Sequence, residues 1–169
     1  MIEETFLKFS AEKLDQFRGR IHDCVGRLTD DQIWLRQSPN ENAVGNLVLH
    51  LSGNVRQWIG HGVGGQSDQR DRDSEFAALG GLAHAPLLQK LDAVIDAAVV
   101  TIQTLPHHRL QEKTRVQNYD VTLFEAIYHV VEHFAQHTAQ IIFATKLLTG
   151  DDLGYYKHLS RPSHSQTTP

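Results

Sequence analysis

Residues 120–148 read DVTLFEAIYHVVEHFAQHTAQIIFATKLL, and we predict that they form one long helix, beginning at about Asp120. Its apolar residues recur at helical spacing and form a stripe along one face. The members of the stripe are Leu123, Ile127, Val130, Phe134, Ile141 and Leu148. Gly150 follows the last of them and can end the helix in a left-handed conformation. A helix with one apolar face must bury that face against other elements of secondary structure.

Three further stretches have the same period and predict the partners of this helix. The first predicted helix covers residues 2–28, the second 43–60 and the third about 85–105, where Pro106 ends it. No segment alternates convincingly as a strand would. The sequence therefore predicts an all-α protein, an antiparallel four-helix bundle.

The connections between the predicted helices are polar. Residues 66–81 are expected to form a long loop with one helical turn near 76–79, and residues 107–118 either a loop or a short extended stretch. We assign residues 1–154 to the bundle. Residues 155–169 are predicted to be a C-terminal tail that is mobile at its end.

Composition excludes several classes of function. A net charge of −4 and a pI near 6.2 argue against a nucleic-acid-binding protein, which would carry a basic stripe. No apolar run reaches the ~20 residues of a membrane span, and the acidic N-terminus does not resemble a signal peptide. The lone Cys24 cannot form an intrachain disulfide, which is typical of the reducing cytoplasm. We expect a cytoplasmic protein with no nucleic-acid or membrane partner.

Histidines 129, 133 and 137 follow one another at four-residue spacing on the fourth predicted helix. Measured from the centre of the apolar stripe, His137 lies about 60° away, His133 about 100° and His129 about 140°. His133 and His137 therefore flank the buried face. His129 is expected to point further toward solvent or a partner subunit.

His50 occupies the corresponding flank of the second predicted helix, about 110° from the centre of that helix's apolar stripe. Flanking histidines of two helices can meet in the cleft between them. We predict that His50, His133 and His137 bind one divalent metal ion and leave a coordination position for water or substrate. Asn54 and Gln140, each near one helical turn beyond a predicted ligand, are candidates for groups that orient the ligands.

Two other metal sites fit the sequence less well. Residues 129–133 spell H-x-x-E-H, the inverted zinc-protease motif with Glu132 as the base, but no glutamate follows as a further ligand. A di-iron site of the ferritin type needs Glu-x-x-His, which the chain lacks. The remaining histidines are predicted to face solvent: His22, His61, His84, His107, His108, His158 and His164.

The chain resembles the DinB-like (DinB/YfiT) superfamily of small bacterial four-helix proteins, over about residues 1–150. The resemblance lies in NAVGNLVLHL, residues 42–51, and in HFAQHTAQI, residues 133–141. It implies an up-down-down-up bundle, a homodimer, and a zinc or nickel site on His50, His133 and His137. Thr138-Ala139 stands where many relatives have Arg-Gly, so any role of that arginine in binding an anion is absent here.

Some members of this superfamily are transferases or isomerases that use a small thiol such as bacillithiol, mycothiol or glutathione. The resemblance thus implies a metal-dependent enzyme, of the thiol-dependent transferase or hydrolase type, with a small-molecule thiol as partner. A non-catalytic metal-binding or stress-response protein is the alternative. A partner-binding bundle without metal is a third hypothesis.

Overall fold

The computed structural model describes residues 1–160, and the prediction of a mobile chain end falls on residues outside that range. Helices make up most of the described chain, which confirms the all-α bundle. The α-helices are α1 Ile2–Val25, α2 Asp30–Ile33, α3 Val44–Val55, α4 Arg72–Ala77, α5 His84–Gln103 and α6 Leu123–Thr149. A π-helix, Arg56–Val63, continues α3, and 3-10 helices cover His107–Gln111 and Lys157–Ser160.

Local capping explains where α6 begins and ends. The Thr122 hydroxyl accepts a hydrogen bond from the Glu125 amide, and the Glu125 carboxylate accepts one from the Thr122 amide. This reciprocal pair satisfies two amides that the first turn of a helix leaves free. At the other end Gly150 takes the left-handed conformation with φ 74°.

The contacts of α1 fix the directions of its two neighbours. Arg18 pairs with Asp96, and His22 with Asp92, so α1 and α5 run antiparallel. By contrast α1 and α6 run parallel, because Phe6 stacks on Phe124 near their first turns. Residues after the two helices also meet, where Arg27 pairs with Asp151.

On the other side of the bundle, α3 packs against both α5 and α6. His50 faces His133, and Trp58, further along, faces the earlier His129, so α3 and α6 are antiparallel. The four long helices thus run up, down, down and up, as the family resemblance implied. Because consecutive members α1 and α3 lie diagonally opposite, a long connection containing α2 joins them.

The connection between α5 and α6 contains a β-hairpin, where the sequence left a loop or a short extended stretch open. Strands β1 Lys113–Val116 and β2 Tyr119–Thr122 pair antiparallel, and Gln117 and Asn118 have positive φ in the turn. Four-residue strands are too short for a clear alternating pattern, and the turn lacks the glycine that usually signals such a hairpin. The hairpin also moves the start of α6 from the predicted Asp120 to Leu123.

The second predicted helix continues as a π-helix beyond Gly60, its predicted end, to Val63. Gly62 lies in this segment, where a side chain would collide with Val116 of β1. Glycine therefore permits the hairpin to pack closely on the π-helix. The helical turn predicted near 76–79 is α4, which lies slightly earlier. Across the described residues, no helix is both long and apolar enough to cross a membrane.

A single core joins the four long helices. Its largest fully buried side chains come from each of them and include Leu14, Ile21, Leu51, Ile59, Leu91, Ile95, Ile127 and Phe134. Tyr155, the first residue of the predicted tail, packs on this bundle: its hydroxyl donates to the Asp23 carboxylate at 2.9 Å.

Candidate metal centre

His50 of α3 meets His133 and His137 of α6 in the seam between the two helices. One ring nitrogen of each lies within 4.8 Å of the others, and the Nε2 atoms of His50 and His133 are 2.9 Å apart. His50 is buried, whereas the other two are only partly buried. Of all groups of histidine, cysteine and carboxylate residues in the described chain, this one has the spacing to hold a metal ion.

Rigid core neighbours position these three rings. Phe134 and Thr138, the residues that follow the two α6 histidines, are buried and anchor the helix. Leu51, next to His50, is also fully buried. The ligand rings therefore project from backbone that packing holds in place, as a metal site on helices requires.

A buried ion pair lies behind His50. Arg70 donates from Nε and Nη2 to the two Glu75 oxygens at 2.8 Å each, and His50 Nδ1 lies 3.1 Å from Glu75 Oε2. Both side chains of the pair are nearly inaccessible, at 2% and 9% exposure. Burial acts to raise the pKa of Glu75, but the hydrogen bonds from Arg70 and His50 outweigh it and hold this pKa below its usual value.

This ion pair determines which nitrogen of His50 faces the cluster. The ionised carboxylate of Glu75 can only accept, so the proton of His50 belongs on Nδ1. Arg70 Nη2 is also 3.1 Å from Nδ1, but it carries only donors and does not replace that bond. The Nε2 lone pair of His50 is then directed at His133.

Gly53 allows the carboxylate to reach His50. A Cβ atom at this position in α3 would collide with Glu75 and press on Arg70. Arg70 also donates to Gln57 Oε1 at 3.0 Å, and the same oxygen accepts from Gln117 of the hairpin turn at 2.7 Å. The loop before α4, the π-helix and the hairpin are thus joined behind the cluster.

Gln140 does for His137 what Glu75 does for His50. His137 Nδ1 lies 2.7 Å from the Gln140 amide oxygen, an acceptor, so the proton sits on Nδ1 and Nε2 keeps its lone pair. Asn54 is buried on α3, but its Oδ1 has no hydrogen-bond partner among residues 1–160. Gln140 is thus hydrogen-bonded to a predicted ligand, whereas Asn54 Oδ1 makes no hydrogen bond to one.

Two rings of the cluster, those of His133 and His137, favour the neutral form that a metal needs. Burial lowers the pKa of His133 to about 3, and the neighbouring His137 and His50 act in the same direction. Burial also lowers the pKa of His137, although its hydrogen bond to Gln140 opposes the shift. Three neutral imidazoles are a donor set that suits borderline divalent ions such as zinc and nickel.

His129 requires a correction to the sequence analysis. Its ring is only partly exposed and packs on Trp58, with ring centres 4.2 Å apart, and on His133 at 5.4 Å. It is not part of the three-histidine group. Glu132 lies exposed and contacts Gln136, so the protease-like motif is not assembled around a common point.

The other histidines are scattered over the bundle and do not join the cluster. His84 and His108 are exposed, while His22, His61, His107 and His158 are partly so. His164 lies outside the described residues. The histidine-rich composition therefore reflects several separate positions in addition to the one cluster.

Sequence analysis missed Glu75 and Arg70, which lie in a stretch of alternating charges that reads as a solvated loop. One signal was available. Gly53 interrupts a helix three residues after a predicted ligand, and glycine in a helix interior often marks a close approach by another group.

Comparisons with known proteins agree with this fold. A search of curated proteins gives no match. A solved structure described as a conserved protein from Enterococcus faecalis is similar, with a TM-score of 0.71 and 15% identity. The similarity covers 85% of this chain and 97% of that one, and it extends to the fold alone. The model of a family described as "Protein of unknown function (DUF1572)" matches residues 1–164, and the chain therefore belongs to the DUF1572 family.

Proposed function

We propose that this chain is a DinB-like, divalent-metal-binding protein and that its three-histidine centre serves a metal-dependent enzyme. The observation that carries the proposal is the pair of outer hydrogen bonds, from His50 to Glu75 and from His137 to Gln140. Such bonds fix the tautomer of metal-binding histidines and make their free nitrogens better ligands. Histidines that merely filled the core would also bond their ring N–H groups, but they would not need to bring one nitrogen each within 4.8 Å of the others.

The accessibility of the cluster favours a catalytic over a structural centre. His133 and His137 are partly exposed, and no fourth cysteine, histidine or carboxylate of the described chain joins the three. Structural zinc sites are closed by four protein ligands, whereas catalytic sites keep a position for water or substrate. A divalent ion bound here would lower the pKa of a water or thiol that binds to it.

The residues around the cluster have separable roles in this proposal. His50, His133 and His137 bind the ion, zinc or nickel, and Glu75 and Gln140 orient the rings. Asn54, with an unsatisfied oxygen one turn beyond His50, is a candidate to accept a hydrogen bond near the substrate. We propose a small-molecule thiol as the substrate of a transferase, or water as that of a hydrolase.

We further propose a homodimer in the cytoplasm. Large apolar side chains are exposed along α6, which would suit contact with a second copy of the chain: Tyr128, Phe143 and Leu147. Size-exclusion chromatography with light scattering measures this directly. A monomer at high protein concentration would contradict the proposed dimer but would not bear on the proposed metal centre.

Metal content followed by thiol binding tests the proposed function. The protein purified without chelator, or loaded with zinc, is expected to hold about one ion per chain by elemental analysis. After replacement by cobalt, 2-mercaptoethanol should produce a thiolate-to-cobalt absorption band in the near ultraviolet. One tightly held ion with no spectral response to thiol or pH would support the non-catalytic metal-binding or stress-response alternative. No uptake of any divalent ion would contradict the proposal.

A further inference from the structure

The charges around the three-histidine cluster nearly cancel before any ion binds. The cluster itself contains no carboxylate within the part of the chain that the structure describes. Glu75 lies directly behind His50, yet it is held by both Nε and Nη2 of Arg70. Because both side chains are buried, water screens neither charge. At His50 the two charges oppose each other, since Arg70 Nη2 and Glu75 Oε2 each lie 3.1 Å from Nδ1.

Charges further out add little. Asp68 accepts from Gln57 and from the Arg70 amide but is exposed, and Arg72 is exposed above the ring of Phe76. Glu132 is exposed as well and contacts Gln136. Solvent and salt screen exposed charges of this kind far more than buried ones.

We propose that Arg70 is a specificity-determining residue: it cancels the charge of Glu75, so that the metal centre selects an anionic ligand. The inference rests on the proposed function, since it needs an ion on the histidines. Three neutral imidazoles and a cancelled ion pair leave both positive charges of a divalent ion uncompensated in a partly buried seam. A net charge in such a place is costly until an opposite charge joins it.

The arrangement separates two effects of a carboxylate behind a metal-binding histidine. Glu75 orients His50 by accepting its Nδ1 proton, which needs only the hydrogen bond. Without Arg70 the same carboxylate would also weaken the attraction of the ion for a second anion. With Arg70 bound, orientation is kept and the ion remains available to a thiolate, a hydroxide or a small carboxylate.

Azide binding to the cobalt-loaded protein tests the role of Arg70, with absorption spectroscopy as the readout. Four proteins are compared at saturating cobalt: wild type, Arg70→Gln, Glu75→Gln and the double variant Arg70→Gln/Glu75→Gln. Loss of the buried positive charge should weaken azide about tenfold in Arg70→Gln. Loss of the negative charge should strengthen azide several-fold in Glu75→Gln. The double variant has neither charge and should return close to wild type.

The double variant also separates charge from damage to the fold. If the single changes acted by disordering the loop before α4, the double variant would be at least as impaired as Arg70→Gln, and circular dichroism would report it. Equal azide affinity in the four cobalt-loaded proteins would overturn this inference alone. Failure of the wild type to bind any divalent ion would overturn the proposed function and this inference with it.

Discussion

Two seams of the bundle each hold a histidine beside a carboxylate, but their surroundings differ. Between α1 and α5, His22 Nε2 lies 2.7 Å from Asp92, with both side chains more than a third exposed. Between α3 and α6, His50 Nδ1 lies 3.1 Å from Glu75, with both side chains nearly inaccessible. Only the second pair adjoins two further histidines.

A histidine–carboxylate pair is not in itself a sign of function. In the exposed α1–α5 seam, water and salt screen the pair, and it contributes little to stability or ring orientation. In the α3–α6 seam the neighbouring residues fix the orientation of the His50 ring, because Arg70 binds Glu75 and Glu75 binds one nitrogen of His50. The two pairs differ because His50 and Glu75 are buried and Arg70 binds the carboxylate.

Removing a ligand should have the largest effect. His133→Ala or His137→Ala leaves two imidazoles, and we expect zinc affinity to fall at least a hundredfold, since each ligand contributes strongly to a three-donor site. His22→Ala removes a histidine from the other seam and should bind zinc as the wild type does. Isothermal titration calorimetry measures all three. Similar losses in His22→Ala and His133→Ala would contradict the assignment of the site.

Removing the carboxylate should change zinc affinity in the α3–α6 seam but not in the α1–α5 seam. Glu75→Gln weakens the hold on His50, and we expect zinc affinity to fall about 10- to 100-fold. Asp92→Asn makes the same chemical change beside His22 and should leave zinc affinity unaltered. The ¹⁵N chemical shifts of the His50 ring in the metal-free protein report the tautomer. This should be the Nδ1–H form in the wild type and a mixture of forms in Glu75→Ala, which has no acceptor at this position.

A matched pair of glycine substitutions tests the close approach behind His50. Gly53→Ala places a methyl group against the Glu75 carboxylate, so both zinc affinity and the free energy of unfolding should decrease, the latter by about 1–3 kcal/mol. Gly19→Ala in α1 meets no atom within 4 Å and should stabilise the protein by about 0.5–1 kcal/mol. Chemical denaturation supplies both values. A neutral Gly53→Ala would show that the carboxylate is free to move.

The pH dependence of stability should come partly from the cluster. Because the pKa of His133 is lowered from 6.5 to about 3, the unfolded chain binds a proton there that the folded chain does not. Stability of the metal-free protein should therefore fall as the pH falls from about 6.5 toward 3. His133→Gln should flatten this slope, measured by urea unfolding at several pH values. His22→Gln is the control, and a wild-type slope in both variants would contradict the shift.

The smallest effect is expected at His129. This ring contacts His133 but lies outside the ligand group, so His129→Ala should leave zinc stoichiometry unchanged and alter affinity by less than about threefold. Elemental analysis measures the stoichiometry and calorimetry the affinity. A loss equal to that of His133→Ala would favour the pairing of the inverted protease motif.

Much of this architecture follows from periodicity in the sequence. Apolar stripes predict the four long helices, and the angular positions of His50, His133 and His137 bring them to facing flanks, where the structure places them together. The helices and the flank that each histidine occupies were predictable because they depend on local helical geometry.

The missed features depend on contacts between distant parts of the chain. Glu75 and Arg70 belong to a charged stretch whose burial requires the chain to fold back over Gly53. His129 lies about 140° from its helix's apolar stripe, yet Trp58 of the π-helix packs against it. Neither the folding back of the charged stretch nor the π-helix produces a recurring spacing of apolar residues that could be recognised in the sequence.

Crystals of the zinc-loaded protein, measured on both sides of the zinc absorption edge, would locate the bound ion. We predict one anomalous peak per chain in the α3–α6 seam, about 2.0–2.1 Å from a ring nitrogen of each of His50, His133 and His137. No peak should occur beside His22. A peak elsewhere, or none in the seam at full zinc saturation, would contradict the assignment of the three histidines as a metal centre.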